Sequence, residues 1–316
     1  MRLVLALVLA LPCVALAAAP EPAYRVLDLT PTFWRYWDEA QGKPGPEQVQ
    51  LFRERVAAAH PDVYTPQVLG LDAEQPLDAE LRKRWPLFLG FVGPQLPLAR
   101  RLSASIGQEL PRFDATFRRA FPDFAYDGEV YFMVSLGAFD GGTRPVKGRT
   151  ALLFGVDVMA RVYGEDADPA SFFHHELFHL YHEQFADPAL SGTLGRAVWR
   201  EGLAVYVAEQ LNPGTPEAVL FGLPRDMPER VRARLPALAQ RVRTNFDSRE
   251  RSEYQRFLTG QAKDPEVPER AGYYLGYRVA KELARGRSLR ELAQLRGPKL
   301  RAELDRALAR LAKAKR

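Results

Sequence analysis

Four of the five histidines in this 316-residue chain fall within SFFHHELFHLYHEQF, residues 171 to 185: His174, His175, His179 and His182. The useful spacing is His175-Glu176-Leu177-Phe178-His179. Side chains four apart share one helical face, with Cβ atoms about 5–6 Å apart, so two imidazoles can converge there on one zinc at about 2.0–2.1 Å. Glu176, at the edge of that face, then reaches an attacking water and can serve as its general base. His182 lies three residues beyond His179, about 4.5 Å further along the axis, too far for one ion to take all three rings. It is read as a supporting residue, bonded to a neighbouring carboxylate. His174 is turned about 100° from His175 and should point away from the metal. His60, between Ala59 and Pro61, reads as a surface or capping histidine at a helix end.

Two histidines leave a catalytic zinc in need of a third protein ligand and one open position. The best candidate is Glu201 in AVWREGLAVYVAEQL (197–211), separated from His179 by 21 residues, positions 180 to 200. A helix, a short connection and an antiparallel second helix would bring it beside the pair. Gly202 and Ala204 would let the two helices approach closely. Glycine inside a helix costs about 1 kcal/mol relative to alanine, so Gly202 asks for a packing reason. Glu209, on the same segment, reads as a solvated helix residue.

HELFH followed by WREGLAVY resembles the gluzincin branch of zinc metallopeptidases, and more narrowly a group of exported bacterial proteins described only as predicted zinc-dependent proteases. A third element of that group, G-Y-x-x-G-Y, is matched by AGYYLGY (271–277), and the resemblance spans residues 129 to 285. It implies a zinc-dependent peptidase acting on a peptide or protein substrate, with ligands His175, His179 and Glu201 and with Glu176 as base. It also implies Tyr273 as donor to the oxyanion that develops in the transition state. Tyr274 is its rival, since adjacent helical residues point about 100° apart. Packing in an aromatic core would suit Tyr273, Tyr274 and Tyr277 equally. Two departures stand out. Thermolysin-like members carry an aspartate four residues after the ligand glutamate to orient a histidine; here that position is Val205. Support must come from elsewhere, such as His182, Glu183 or a backbone carbonyl. GAFDG (137–141) is only faintly similar to the G-A-M-E-N segment that holds a substrate amine in some aminopeptidases. Asp140 and Gly141 replace its last two residues, and aminopeptidase activity is not inferred.

These residues need a scaffold to hold them. EVYFMVSLG (129–137) and GRTALLFGVDVMA (148–160) read as strands on either side of a loop rich in Gly, Asp and Pro. The second precedes the histidine helix and is expected to pair with an extended peptide substrate. A helix should open at Asp168-Pro169 and run to about Phe185, and another should span 195–211 and stop at Asn212-Pro213-Gly214. Residues 20–128 look mostly helical: PEQVQLFRERVAAAH (46–60) has Pro46 in its first turn, and LARRLSASIGQELPRFDATFRRAF (98–121) should break or kink at Pro111. The expected fold is α+β and zincin-like, a small mixed sheet followed by the active-site helix and a mostly helical C-terminal part. The expected segments are 1–19, 20–128 and 129–316.

The first of these reads as a secretory signal peptide. Arg2 precedes an apolar run from Leu3 to Leu11, and Ala15-Leu16-Ala17 and Ala17-Ala18-Ala19 offer cleavage sites. An exported protein, periplasmic or secreted, is therefore expected. Cys13, the only cysteine, would leave with the signal, so no disulfide framework is expected. Pro12 stands where a lipoprotein signal wants a small residue, which argues against a lipid anchor. The net charge of +5, from 44 basic and 39 acidic residues, is dispersed, and no basic stretch carries interleaved aromatics; nucleic acid is not expected as a partner. GPKLRAELDRALARLAKAKR (297–316) sets Leu300, Leu304, Leu308 and Leu311 on one stripe. That stripe is read as a core-facing surface, with a membrane-surface protein as the lesser option. A non-catalytic zinc-binding scaffold is the other alternative, disfavoured because a closed structural site needs a fourth protein ligand. The oligomeric state is not legible in the sequence.

Overall fold

A computed structural model describes residues 24–166 and 169–314, so the expected signal segment with Cys13, and Asp168, lie outside the described residues. The chain enters through β1 (Arg25–Asp28) and helices α1 (Thr30–Ala40), α2 (Gly45–Phe52), α3 (Pro66–Leu69), α4 (Leu77–Val92) and α5 (Leu96–Ala120). It then lays down β2 (Glu129–Met133), β3 (Gly141–Val146) and β4 (Arg149–Gly155). Next come α6 (Val156–Tyr163), α7 (Pro169–Glu183) and α8 (Leu194–Leu211), followed by α9 (Glu217–Phe221), α10 (Met227–Thr244) and α11 (Arg251–Tyr254). The last helices are α12 (Ala271–Leu283), α13 (Leu289–Ala293) and α14 (Gly297–Lys313). The fold is α+β.

The four strands form one mixed sheet in the order β1-β2-β4-β3. β1, β2 and β4 are parallel, with Val26 opposite Val130 and Tyr131 opposite Leu153, while β3 runs antiparallel to β4, with Thr143 opposite Leu152. In β2 every residue after Glu129 is buried. A parallel strand covered on both faces reads as a continuous apolar run, which is why EVYFM was recognisable.

β3 falls in the stretch expected to be a loop. Gly141, Gly142 and Pro145 are poor strand formers, but an edge strand needs pairing on one side only. Gly155 donates its N–H to the Asp140 carbonyl at 2.8 Å. The alternation that follows turns the backbone groups of Gly141, Thr143 and Pro145 away from β4, so the missing N–H of Pro145 breaks no bond. β4 has neighbours on both sides and cannot take a substrate strand as expected; the free edge of this side of the sheet belongs to β3.

Other expectations also shift. The second strand stops at Gly155, and Val156–Ala160 is helical. Buried Asp157, in the first turn of α6, accepts from the N–H groups of Ser135 (2.7 Å) and Gly137 (2.8 Å) and so ends β2 in a tight turn. α5 runs through Pro111 unbroken, because burial of Leu102, Ile106, Leu110, Phe113 and Phe117 along one stripe outweighs the lost backbone bond. β1, from the 20–128 segment, pairs with β2. In α14 the leucines at 300, 304, 308 and 311 are buried against α10 and α12, which leaves the stripe unavailable to a membrane surface. Among the described residues no helix is long and apolar enough to cross a membrane.

Candidate metal centre and cleft

The centre rests on three helices, α7, α8 and α12. α8 is capped at its start by Thr193, whose hydroxyl accepts from the Arg196 N–H. It crosses α12 at two glycines that face each other. A Cβ on Gly202 would lie 1.9 Å from the carbonyl carbon of Gly276, and one on Gly276 would lie 2.0 Å from the Val198 oxygen. These glycines bring two backbones to a separation no other residue permits, and each sits beside a residue of interest. Gly202 follows Glu201; Gly276 lies three residues after Tyr273.

α7 and α8 bring the sequence-predicted donors together. His175 Nε2 and His179 Nε2 are 3.1 Å apart, and Glu201 Oε2 lies 3.6 Å from the first and 3.3 Å from the second. Three ligands around a tetrahedral ion with bonds of about 2.0–2.1 Å would sit about 3.3 Å from one another. The triangle of donor atoms fits that figure, and among the described residues it is the group that could hold a metal ion. The donor set, two imidazoles and one carboxylate, suits zinc.

The electrostatics agree with this use. Burial pushes His179 down to about 4, which keeps its imidazole neutral at pH 7 and its ring nitrogen available as a donor. Burial opposes ionisation of Glu201, but the two imidazoles and Arg200 hold its carboxyl well below the usual range. Arg200 Nη1 donates to Glu201 Oε1 at 3.0 Å, which occupies the oxygen turned away from the histidines. Arg200 was visible in WREGLA but carried no spacing signal of its own.

Glu176 lies in the same cleft and is buried. Burial, with smaller contributions from Asp140 and Glu201, pushes its carboxyl up to about 7. A Cβ on Gly141 would stand 2.7 Å from the Phe172 ring and 3.2 Å from the Glu176 carboxyl carbon. The start of β3 thus presses on the Glu176 carboxyl through a position that must be glycine. The pair Gly141-Gly142 was the only trace of this in the sequence. Asp140, next to it, also lines the cleft.

Of the three tyrosines of AGYYLGY, Tyr273 alone lines the cleft, its ring nearly parallel to that of His175 at 6.5 Å. Tyr274 turns to the other side, where its hydroxyl accepts from Arg232 Nε at 3.1 Å. Tyr277 donates to Glu209 at 2.7 Å, so Glu209 is partnered rather than merely solvated. Arg270, in the left-handed region (φ 59°), places its guanidinium 4.3 Å from the Tyr273 ring centre.

The remaining histidines have other roles. His174 is buried, its Nε2 2.9 Å from the Phe113 carbonyl and its Nδ1 2.8 Å from Asn212 Nδ2. A carbonyl only accepts, so Nε2 carries the proton and Nδ1 accepts from the amide. His182 stacks on Phe178 at 5.2 Å, and among the described residues no carboxylate bonds it. His179 Nδ1 is buried without a partner among the described residues, so neither His182, Glu183 nor a carbonyl supplies the expected support. His60 is half-buried rather than a surface residue, its Nε2 enclosed and without a hydrogen-bond partner among the described residues.

The cleft that unites these groups has a volume of about 580 Å³. A mixed sheet backed by helices, with two imidazoles on one helix and a carboxylate on the next, defines an α+β protein with a candidate zinc centre. Residues 163–296 match the family model described as "Predicted Zn-dependent protease (DUF2268)", and that span contains His175, Glu176, His179, Glu201 and Tyr273. No curated protein and no solved structure matches the chain.

Proposed function

We propose that this chain is an exported zinc-dependent peptidase that hydrolyses peptide bonds, with His175, His179 and Glu201 holding the metal. The observation that carries the reading is the donor triangle of 3.1, 3.3 and 3.6 Å with the buried Glu176 carboxyl in the same cleft. Zinc, when bound there, supplies Lewis acidity toward the scissile carbonyl and the attacking water. Glu176 takes a proton from that water on its carboxylate and delivers it to the leaving amine nitrogen. Its raised proton affinity suits both halves of this exchange, because a base near the working pH can accept and return a proton. Tyr273 donates its O–H to the oxygen of the scissile carbonyl as charge develops on it. The outward backbone groups of β3 beside Glu176 are suited to pair with an extended substrate. Export rests on the signal-like residues 1–19.

The test is paired. Zinc content and hydrolysis of a mixed peptide library are measured for the wild type and for Glu176→Gln. One zinc in both proteins, with cleavage by the wild type alone, is the expected result. Zinc without wild-type cleavage would favour a non-catalytic scaffold, and no zinc would remove the reading altogether.

A further inference from the structure

The three large apolar side chains most exposed among the described residues are Leu87 (69%), Phe91 (46%) and Tyr254 (46%). Burying such groups is favourable in proportion to their area, and exposed apolar surface that gathers in one place marks a binding surface. Two of the three do gather. Leu87 and Phe91 stand four residues apart on α4 and therefore share a face. That face is not the one α4 packs with, since Leu81, Trp85, Phe88 and Val92 are buried. Phe91 also belongs to the cleft wall, together with the 137–142 segment that passes over Glu176. Its ring lies 3.7 Å from where a Gly137 Cβ would be, and the Arg161 guanidinium covers it at 5.2 Å, so its position is held. Tyr254 lies on the segment that continues to Thr259, another residue of the cleft wall.

Besides the donor triangle, the cleft is lined by the charged side chains of Asp140, Glu176, Arg200 and Arg270. The apolar wall residues Phe139, Val158, Phe172 and Val219 are buried, and of the large apolar side chains lining the cleft Phe91 is the exposed one. Resting on the peptidase reading, we infer that Leu87 and Phe91 form a substrate ledge that takes an apolar, aliphatic or aromatic side chain of an extended peptide whose backbone runs through the cleft. The cleft therefore selects among peptides through α4, an element outside the span that matches the protease family. Occupancy by a side chain of the same peptide follows from continuity: Phe91 is wall on one side and ledge on the other.

The experiment uses the zinc-loaded full chain and a fluorescein-labelled heptapeptide series in which one Leu, Phe or Ser is moved through an Ala-Ser background. Wild type should cleave Leu and Phe peptides faster than Ser peptides at one position. The double variant Leu87→Ser/Phe91→Ala should lose that discrimination by about 10- to 100-fold in kcat/KM. In a second arm the same peptides are bound to Glu176→Gln, with and without the double substitution, and followed by anisotropy. The apolar peptides should bind about tenfold more weakly once the ledge is removed. Both substitutions replace exposed side chains, and thermal melting verifies that the fold persists. Discrimination that survives the double variant, or anisotropy that does not change, overturns the ledge. Absence of cleavage by the wild type overturns the peptidase reading instead, and the anisotropy arm still decides the ledge on its own.

Discussion

Gly202→Ala offers a direct test of how the centre is built. In an ordinary helix this substitution stabilises by about 0.5–1 kcal/mol, since alanine loses less backbone freedom. Here the new Cβ would fall 1.9 Å from Gly276 C, 2.2 Å from Gly276 Cα and 2.2 Å from Tyr277 N. All three are backbone atoms, so no side-chain rotation relieves the clash. α8 and α12 must separate by roughly 1.5 Å to restore van der Waals contact near 3.5 Å. Overpacking of this kind costs about 1–3 kcal/mol and outweighs the propensity gain. The expected fall in melting temperature is about 2–4 °C for each kcal/mol of net loss. Because Glu201 precedes Gly202, the separation also distorts the donor triangle, and zinc affinity should weaken by about tenfold or more. The internal control is Gly107→Ala in α5, where nothing lies within 4 Å of the new Cβ. Calorimetry should show that variant more stable than wild type, with zinc binding unchanged by isothermal titration. If Gly202→Ala melts above wild type and binds zinc as tightly, the close helix crossing is not what positions the site.

The remaining predictions concern the histidine helix. In the metal-free protein the Glu176 carboxyl should take up its proton near pH 7, visible as the difference between potentiometric titrations of wild type and Glu176→Gln. A midpoint near the ordinary value of 4.5 would contradict the burial argument. The sign for stability follows: a carboxyl whose folded pKa is raised favours folding most below its unfolded value, and that contribution is lost as pH rises through about 7. Metal-free Glu176→Gln should therefore gain stability over wild type between pH 5 and 8, as read by chemical denaturation. His174→Ala removes a buried ring with two hydrogen bonds and should cost about 2–4 kcal/mol while leaving one zinc bound. His175→Ala should lose the zinc at much smaller cost in stability; the reverse pattern, measured by metal analysis and melting, would exchange the two roles.

Much of the centre was legible before any fold was known, because its signals are local. The interval from His175 to His179 is one helical turn, and the helix that realises it is announced by Pro169 and by apolar periodicity. Glu201 could be proposed from the deficit of ligands and a nearby helix pattern. β2 was legible for a similar reason, since a strand buried on both faces writes an apolar run. β3 was not, because an edge strand tolerates Gly and Pro. The order β1-β2-β4-β3 pairs residues about a hundred positions apart, and no local pattern carries that information.

Residue types and spacing by themselves determined which atoms can bind an ion and which carboxyl stands beside them, because an α-helix converts sequence interval directly into distance and direction. Only the tertiary structure decided which tyrosine faces the cleft, that Arg200 holds the far oxygen of Glu201, and that β3 rather than β4 presents a free edge. It likewise decided that His174 is a core residue and that the leucine stripe of α14 is covered. Each of these depends on which surfaces meet across the chain, and burial, which sets proton affinities and apolar contacts alike, comes into being only when they meet.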